Sequence, residues 1–325
     1  MRSPPDLQRR KGLLAALGLG ATIAAPGQAR TIASAAAPAR PRSDDLRPQE
    51  AAPEQVASHW VATSDGIHLN VLERAPALDA DAGQARAPTI VLLPGWCMPA
   101  SIWRAQLIGL GARWRTLAMD PRGQGDSEIP DTGYTADRRA DDLRDVLAGH
   151  ERVVLVAWSL GVLEALHYVY RHGSDRLLAL VLVDNSIGEP PAPKPSDFVQ
   201  RLRRARAATV ESFVRSMFAH PLAEAQIGSL RDAALRMPLE SSIALLSYPL
   251  PREHWRAVAH AFDRPLAYLV TPRYREQSQH LLQARPATKI EVFEQAGHAL
   301  FVDEAPRFNR LLADWIDSFA GPALS

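Results

Sequence analysis

The apolar run Val153-Val154-Leu155-Val156-Ala157-Trp158 stops abruptly at Ser159-Leu160-Gly161, and a helix-period sequence, Val162-Leu163-Glu164-Ala165-Leu166, starts at once behind it. A parallel strand buried on both faces reads as such a run. Small residues at 157 and 161 let the backbone reverse sharply between strand and helix. The reversal lifts the Ser159 hydroxyl to the carboxyl end of a sheet, above the N-terminus of the next helix. Developing negative charge there would meet free backbone N–H groups and the positive end of a helix dipole. That is the placement a nucleophilic serine needs. An accidental strand–serine–helix junction is the plain alternative, because so short a pattern recurs by chance. The flanking sequence favours the nucleophile.

A serine hydroxyl is a poor nucleophile at neutral pH and needs a base within hydrogen-bond reach. Histidine suits the task, accepting the proton and returning it to a leaving group. His298, in Gln295-Ala296-Gly297-His298, follows an apolar run on a Gly-containing loop, whereas the other nine histidines lack a strand-end placement. The rival reading is a surface-loop histidine. A base of this kind wants a carboxylate to hold its tautomer. Asp184 closes the apolar run Leu177–Val183, and Glu276 lies in a short loop beyond residues 265–270, close to a helix start. Asp184 is favoured over Glu276 because a strand end fixes its geometry. A loop-bonding aspartate is the competing role for it. Asp303 reads as the N-cap of a final helix.

The elements that must position these residues alternate. Residues 59–63 and 67–74, around Asp65-Gly66, read as a hairpin. Apolar strands follow at 89–93, 115–119, 153–158 and 177–183, with helices at about 100–110, 140–147 and behind Ser159. This order indicates a doubly wound, mainly parallel α/β sheet. The alternation breaks at the Pro-rich segment 189–195 and resumes at 265–270, then 289–293, then an amphipathic helix over about 304–319. Residues 188–262 therefore read as an inserted helical cap, between a first core part at 59–187 and a second at 263–325.

Composition narrows the function classes. With 325 residues and 46% hydrophobic content, the chain can bury one large core. A net charge of +1 gives no footprint for nucleic acid. The single cysteine, Cys97, rules out an intramolecular disulfide and any multi-cysteine metal site. At the N-terminus, Arg9-Arg10 precede the apolar segment 12–25, and small-x-small sites such as Ala33-Ser34-Ala35 follow. This looks like a twin-arginine export signal over 1–37, leading to a disordered linker at 38–58 and a periplasmic or secreted location. The apolar segment is shorter than the ~20 residues of a spanning helix.

Four motifs stand in order at predicted strand ends: Pro94-Gly95-Trp96, the D-x-R-G-x-G-x-S loop at 120–127, the pentad 157–161, and Gly297-His298. Through them residues 59–320 resemble the α/β-hydrolase superfamily, nearest to the small esterases called non-haem chloroperoxidases. Similarity to carboxylesterases with a W-S-x-G elbow is also visible. The resemblance implies a serine hydrolase acting on small carboxylic esters, with an acyl-enzyme on Ser159, His298 as base and no metal or organic cofactor. It implies an oxyanion hole of two backbone N–H groups, those of Trp96 and Leu160. Trp96 and Trp158 would wall the acyl pocket or simply pack, and Arg122 would tie loops together. The sequence departs from the family at the acid, which usually follows the seventh strand. Here that place reads Val270-Thr271-Pro272-Arg273-Tyr274-Arg275-Glu276-Gln277, a shortened loop with no Asp. Perhydrolysis, with haloperoxidation as a by-product, and a binding pseudo-hydrolase remain as alternatives; dehalogenase chemistry would want a carboxylate at 159.

Overall fold

The computed structural model describes residues 56–76 and 87–320. The signal expected over 1–37 and nearly all of the linker expected over 38–58 lie outside the described residues. Eight strands form one sheet: β1 (Ala57–Ala62), β2 (His68–Arg74), β3 (Thr89–Leu93), β4 (Thr116–Met119), β5 (Val153–Trp158), β6 (Leu177–Val183), β7 (Leu266–Val270) and β8 (Lys289–Val292). Their order across the sheet is β1-β2-β4-β3-β5-β6-β7-β8. β2 runs antiparallel to β1 and β4, and the strands from β4 to β8 pair in parallel. The hairpin starts at Ala57, two residues before the expected start of the folded part at His59. An edge strand with mostly exposed side chains carries no apolar signature to announce it.

Central strands are continuous apolar runs because both faces are covered. Every residue of β4, β5 and β7 is buried. Covering helices are α1 (Arg104–Leu110, entered through a 3-10 turn at Ala100–Trp103), α2 (Ala136–Leu147) and α3 (Leu160–His172). Five more lie between β6 and β7: α4 (Phe198–Arg204), α5 (Arg206–Ser216), α6 (Glu224–Arg236), α7 (Leu239–Leu245) and α8 (Arg252–Ala261). These occupy the span expected for a cap. α9 (Arg275–Ala284), α10 (Leu300–Asp303) and α11 (Ala305–Ala320) complete the chain. At the carboxyl ends of β5 and β6, Trp158 pairs in register with Val183. That register sets Ser159 and Asp184 side by side on neighbouring strand ends. Such fully buried aliphatic side chains each contribute about 1.5–3 kcal/mol relative to exposure, so the sheet centre is a stiff platform for what its ends carry.

Candidate active site

The turn from β5 into α3 holds Ser159 at φ 55°, ψ −123°. A residue with a side chain rarely adopts this conformation, at a cost of roughly 1–3 kcal/mol, unless its surroundings dictate it. They do so here. Ser159 N–H donates to Val183 O at 2.9 Å. Asn185 Nδ2 donates to Ser159 O at 2.7 Å, and Asn185 O in turn accepts from the buried Tyr268 hydroxyl at 2.6 Å. A Cβ at position 161 would stand 2.8 Å from Pro94 O, so only glycine lets α3 pack this closely against the chain leaving β3. The serine is 1% exposed.

His298 lies on the loop between β8 and α10. Its Nε2 is 2.9 Å from Ser159 Oγ, and its Nδ1 is 2.8 Å from Asp184 Oδ2. With Nδ1–H donating to the carboxylate, the Nε2 lone pair is left to accept the serine hydroxyl. Asp184 itself sits at φ 46°, a left-handed conformation that aspartate tolerates better than most residues. Its other oxygen, Oδ1, accepts from Thr271 N–H at 2.7 Å and Thr271 Oγ1 at 2.8 Å. Glu276 stands in the first turn of α9 with a side chain 66% exposed, 4.0 Å from His280 Nε2. The structure thus brings Ser159, His298 and Asp184 together and leaves Glu276 at the surface. Burial, and then the Asp184 charge, pushes the neighbouring Tyr274 phenol up to about 12.

Two backbone N–H groups stand in the segments next to the serine, those of Trp96 and Leu160. Leu160 N–H belongs to the first residue of α3, where no intrahelical acceptor exists. Trp96 N–H belongs to the turn after β3, closed by Met98 N–H donating to Gly95 O at 3.2 Å. Neither N–H has a hydrogen-bond partner among the described residues. Cys97, next in that turn, is also held at φ 55°. Burial pushes its thiol pKa well up, so it stays neutral and is no second nucleophile.

The tryptophans split their tasks. Trp158 Nε1 donates to His298 O at 2.8 Å, and the indole packs edge-on to Phe301, so it props the histidine loop. Trp96 reaches the other way. Its Nε1 donates to Ser242 O in α7, and its ring meets Phe198 and Phe213 at 5.3 and 5.4 Å. Asp303 does not cap the last helix. Its carboxylate accepts instead from Gly297 N–H at 2.7 Å, Ala219 N–H at 2.9 Å and His220 N–H at 3.3 Å. One side chain thereby ties the histidine loop to the segment between α5 and α6. Those three N–H groups come free of any helix, and a carboxylate gains more from them than from one helix start. Arg122 ties loops together: its Nε and Nη2 donate to the buried Asp142 at 2.6 Å each, and Nη2 also reaches Asp65 at 3.0 Å. Thr271 and Asn185 have no signature in the sequence beyond their places just past strand ends.

Among the described residues no group of three or more His, Cys, Asp or Glu side chains is arranged to hold a metal ion, and no helix is long and apolar enough to cross a membrane. Two surface cavities, of about 520 and 400 Å³, open elsewhere: one is lined by Arg144, Tyr168 and Arg176, the other by Asn70, Asp126 and Asp232.

Comparison with known proteins gives the family and the fold. The profile of the alpha/beta hydrolase family matches residues 90–311. A pimeloyl-[acyl-carrier protein] methyl ester esterase of Vibrio atlanticus is 27% identical over 246 residues, which cover 69% of this chain and 92% of that one. A non-heme chloroperoxidase of Kitasatospora aureofaciens is 39% identical over 120 residues, 36% of this chain and 42% of its own. Among solved structures, an esterase from Exiguobacterium antarcticum superposes with a TM-score of 0.68 at 19% identity, covering 80% of this chain and 100% of that one. The expected fold and the expected kinship with esterases and non-haem chloroperoxidases are both met by these proteins.

Proposed function

Since the chain belongs to the alpha/beta hydrolase family, we propose that it is a carboxylic ester hydrolase working by acyl transfer on Ser159. The observation that carries this reading is the chain of contacts from Ser159 Oγ through His298 to Asp184, at 2.9 and 2.8 Å, beside two unpartnered backbone donors. Ser159 Oγ attacks the ester carbonyl while His298 Nε2 takes the hydroxyl proton, and Asp184 stabilises the imidazolium. Trp96 and Leu160 N–H groups receive the oxyanion. Collapse expels the alcohol, which leaves with the proton from His298, and an acyl-enzyme remains. A water deprotonated by His298 then attacks, and the carboxylic acid departs from a regenerated serine. The close cover over Ser159 favours small esters. The paired arginines at 9 and 10 support export by the twin-arginine route and a periplasmic or secreted location.

The relative named a non-heme chloroperoxidase favours a second outcome at the same acyl-enzyme. Hydrogen peroxide in place of water would release a peracid, which oxidises halide in solution. Incubation with a fluorophosphonate, followed by a panel of p-nitrophenyl esters, tests the first reading. We expect stoichiometric labelling at Ser159, abolished in Ser159→Ala together with about 10³-fold or more of ester turnover. Labelling that survives the substitution would place the nucleophile elsewhere. Peracid formed in proportion to added peroxide would establish the second outcome.

A further inference from the structure

The two backbone donors beside Ser159 sit on different parts of the chain, and their separation must be fixed for both to reach one oxygen. Trp96 N–H lies in the turn after β3, and Leu160 N–H opens α3. The β3–β5 ladder ends at Leu93 and Ala157, and among the described residues no backbone hydrogen bond beyond it joins the turn to the helix. A buried side-chain relay does. Gln124, fully buried in the Gly-rich loop, donates from Nε2 to both Gly95 O at 3.0 Å and Met98 O at 2.9 Å. These two carbonyls are the first and last of the turn that presents Trp96 N–H. Its amide cannot flip, because Oε1 accepts from Arg139 Nη2 at 3.2 Å. Arg139, buried in α2, makes a two-point pair with Glu164 at 2.7 and 3.1 Å and also donates to Arg122 O at 3.1 Å. Glu164 stands on α3, five residues after the nucleophile. It receives one further bond, from the Tyr248 hydroxyl at 2.9 Å, between α7 and α8. Burial, and then the Glu164 charge, raises the Tyr248 phenol well above 10, so it remains a donor.

We propose that Gln124 is the positioning residue of the oxyanion site, setting the Trp96 N–H against the Leu160 N–H through Arg139 and Glu164. The inference rests on the acyl-transfer reading above and deepens it. The need for such a device is local: the turn carries Cys97 in a left-handed conformation, which relaxes unless its carbonyls are held from outside. Gln124 holds both ends at once. The relay returns to the helix that bears the other donor, so a tilt of α3 carries both donors together. A charged, bidentate anchor resists such displacement better than a neutral contact. Gln124 touches neither substrate nor the reacting atoms; it acts through the turn.

Two variants separate this role from plain packing. Gln124→Met keeps the volume and loses both donors. Gln124→Glu keeps an acceptor for Arg139 and loses the donors toward Gly95 and Met98. Sites are counted by the extent of fluorophosphonate labelling at completion, so unfolded protein does not enter the rates. Per labelled site, we expect kcat for a p-nitrophenyl ester to fall roughly 10–100-fold in both variants, short of the 10²–10³ seen when an oxyanion donor is deleted outright. KM should stay within about threefold, because the carbonyl of bound ester carries little charge. Affinity for an aryl trifluoromethyl ketone, whose serine adduct bears the oxyanion, should weaken by the same factor as kcat. Affinity for the product carboxylic acid should not change. A kcat per site within twofold of the wild type in either variant overturns the proposal. So does a loss seen only in KM, or a ketone affinity unmoved while kcat falls. If the wild-type chain takes no label and cleaves no ester, the acyl-transfer reading fails and the inference falls with it; if the wild type labels and the variants match it, the inference alone fails.

Discussion

Thr271 gives two hydrogen bonds to one oxygen of Asp184, from its N–H at 2.7 Å and its hydroxyl at 2.8 Å. Oδ1 is thereby saturated, and Oδ2 is turned to His298 Nδ1. The end of β7 carries no carboxylate of its own. It orients one that projects from the end of β6. Two parallel strands that are neighbours in the sheet thus share a task for which either strand end has the right height above the sheet.

The acid is tested by substitution. Asp184→Asn should reduce the acylation rate by roughly 10²–10⁴, because the two Thr271 donors claim the amide oxygen, the NH2 turns to His298 Nδ1 and favours the wrong tautomer, and the charge that stabilises the imidazolium is gone. Glu276→Gln should cost less than about tenfold. Thr271→Val, which removes one of the two bonds to Oδ1, should fall between them at roughly three- to tenfold. Stopped-flow acylation with a chromogenic ester reads all three. The reverse order for Asp184 and Glu276 would overturn the assignment.

Gly95→Ala should silence the site while leaving the fold. A Cβ at position 95 would stand 2.8 Å from Ser159 Cβ and 3.3 Å from Ser159 Oγ, so one of the two must move. Ser159 is the part with least freedom to move productively, being held by Val183 O and Asn185. A misplacement of this order is expected to cost about 10²-fold in kcat/KM. Circular dichroism and the melting temperature should stay near wild type. An undiminished kcat/KM would show that the turn after β3 shifts freely, contrary to the clamp at Gln124.

Much of the site was legible because strand ends advertise themselves. An unbroken run from Val153 to Trp158 followed by small residues admits few structures, and the run Leu177–Val183 places Asp184 just as firmly. Other parts were hidden for physical reasons. Asp303 stands just before α11 and so imitates a cap, yet two of its three bonds come from backbone more than 80 residues away. Arg139 lies on the apolar stripe of α2 beside Ala140 and Leu143, where a periodic reading expects no charge. Its partner Glu164 sits in another helix, and only the tertiary fold shows the pair to be buried and matched. Breaking such a pair from one side costs about 3–5 kcal/mol, which is why both charges are held by several neighbours.

Export is tested with the full chain. Arg9 and Arg10 precede the apolar segment 12–25. Replacing both by lysine keeps the charge and removes the paired guanidinium groups. Precursor should accumulate in the cytoplasm of a host with a twin-arginine system, measured by fractionation and by the mass of the N-terminus. Unimpaired processing of the double variant would argue against that route.

Stability should fall as pH drops below about 6.5. His254 on α8 faces α3, where its Nε2 lies 3.1 Å from His167 Nδ1, and His167 Nε2 lies 2.6 Å from Asp137 Oδ1. Tyr170, Trp255 and Arg171 complete the surroundings, Arg171 pairing with Asp137 at 3.2 Å. Burial, and then the neighbouring His167, lowers the His254 pKa from its ordinary 6.5. His150 is lowered as well, by burial and then by Arg115. A histidine whose folded pKa lies below its unfolded value binds fewer protons in the native state. Its contribution is fully present above 6.5 and is lost as pH falls from 6.5 through the folded pKa. Asp137 is shifted downward, first by its bond to His167, so its own contribution persists in this window and is lost only below the ordinary carboxylate range. Urea unfolding at pH 7.5 and 5.5 should therefore give a lower midpoint at 5.5, with the m-value unchanged. His254→Gln, which retains a donor toward His167 but cannot take up a proton, should narrow the difference between the two midpoints. A midpoint that rises on acidification, or a variant with the full wild-type difference, would remove His254 from the account.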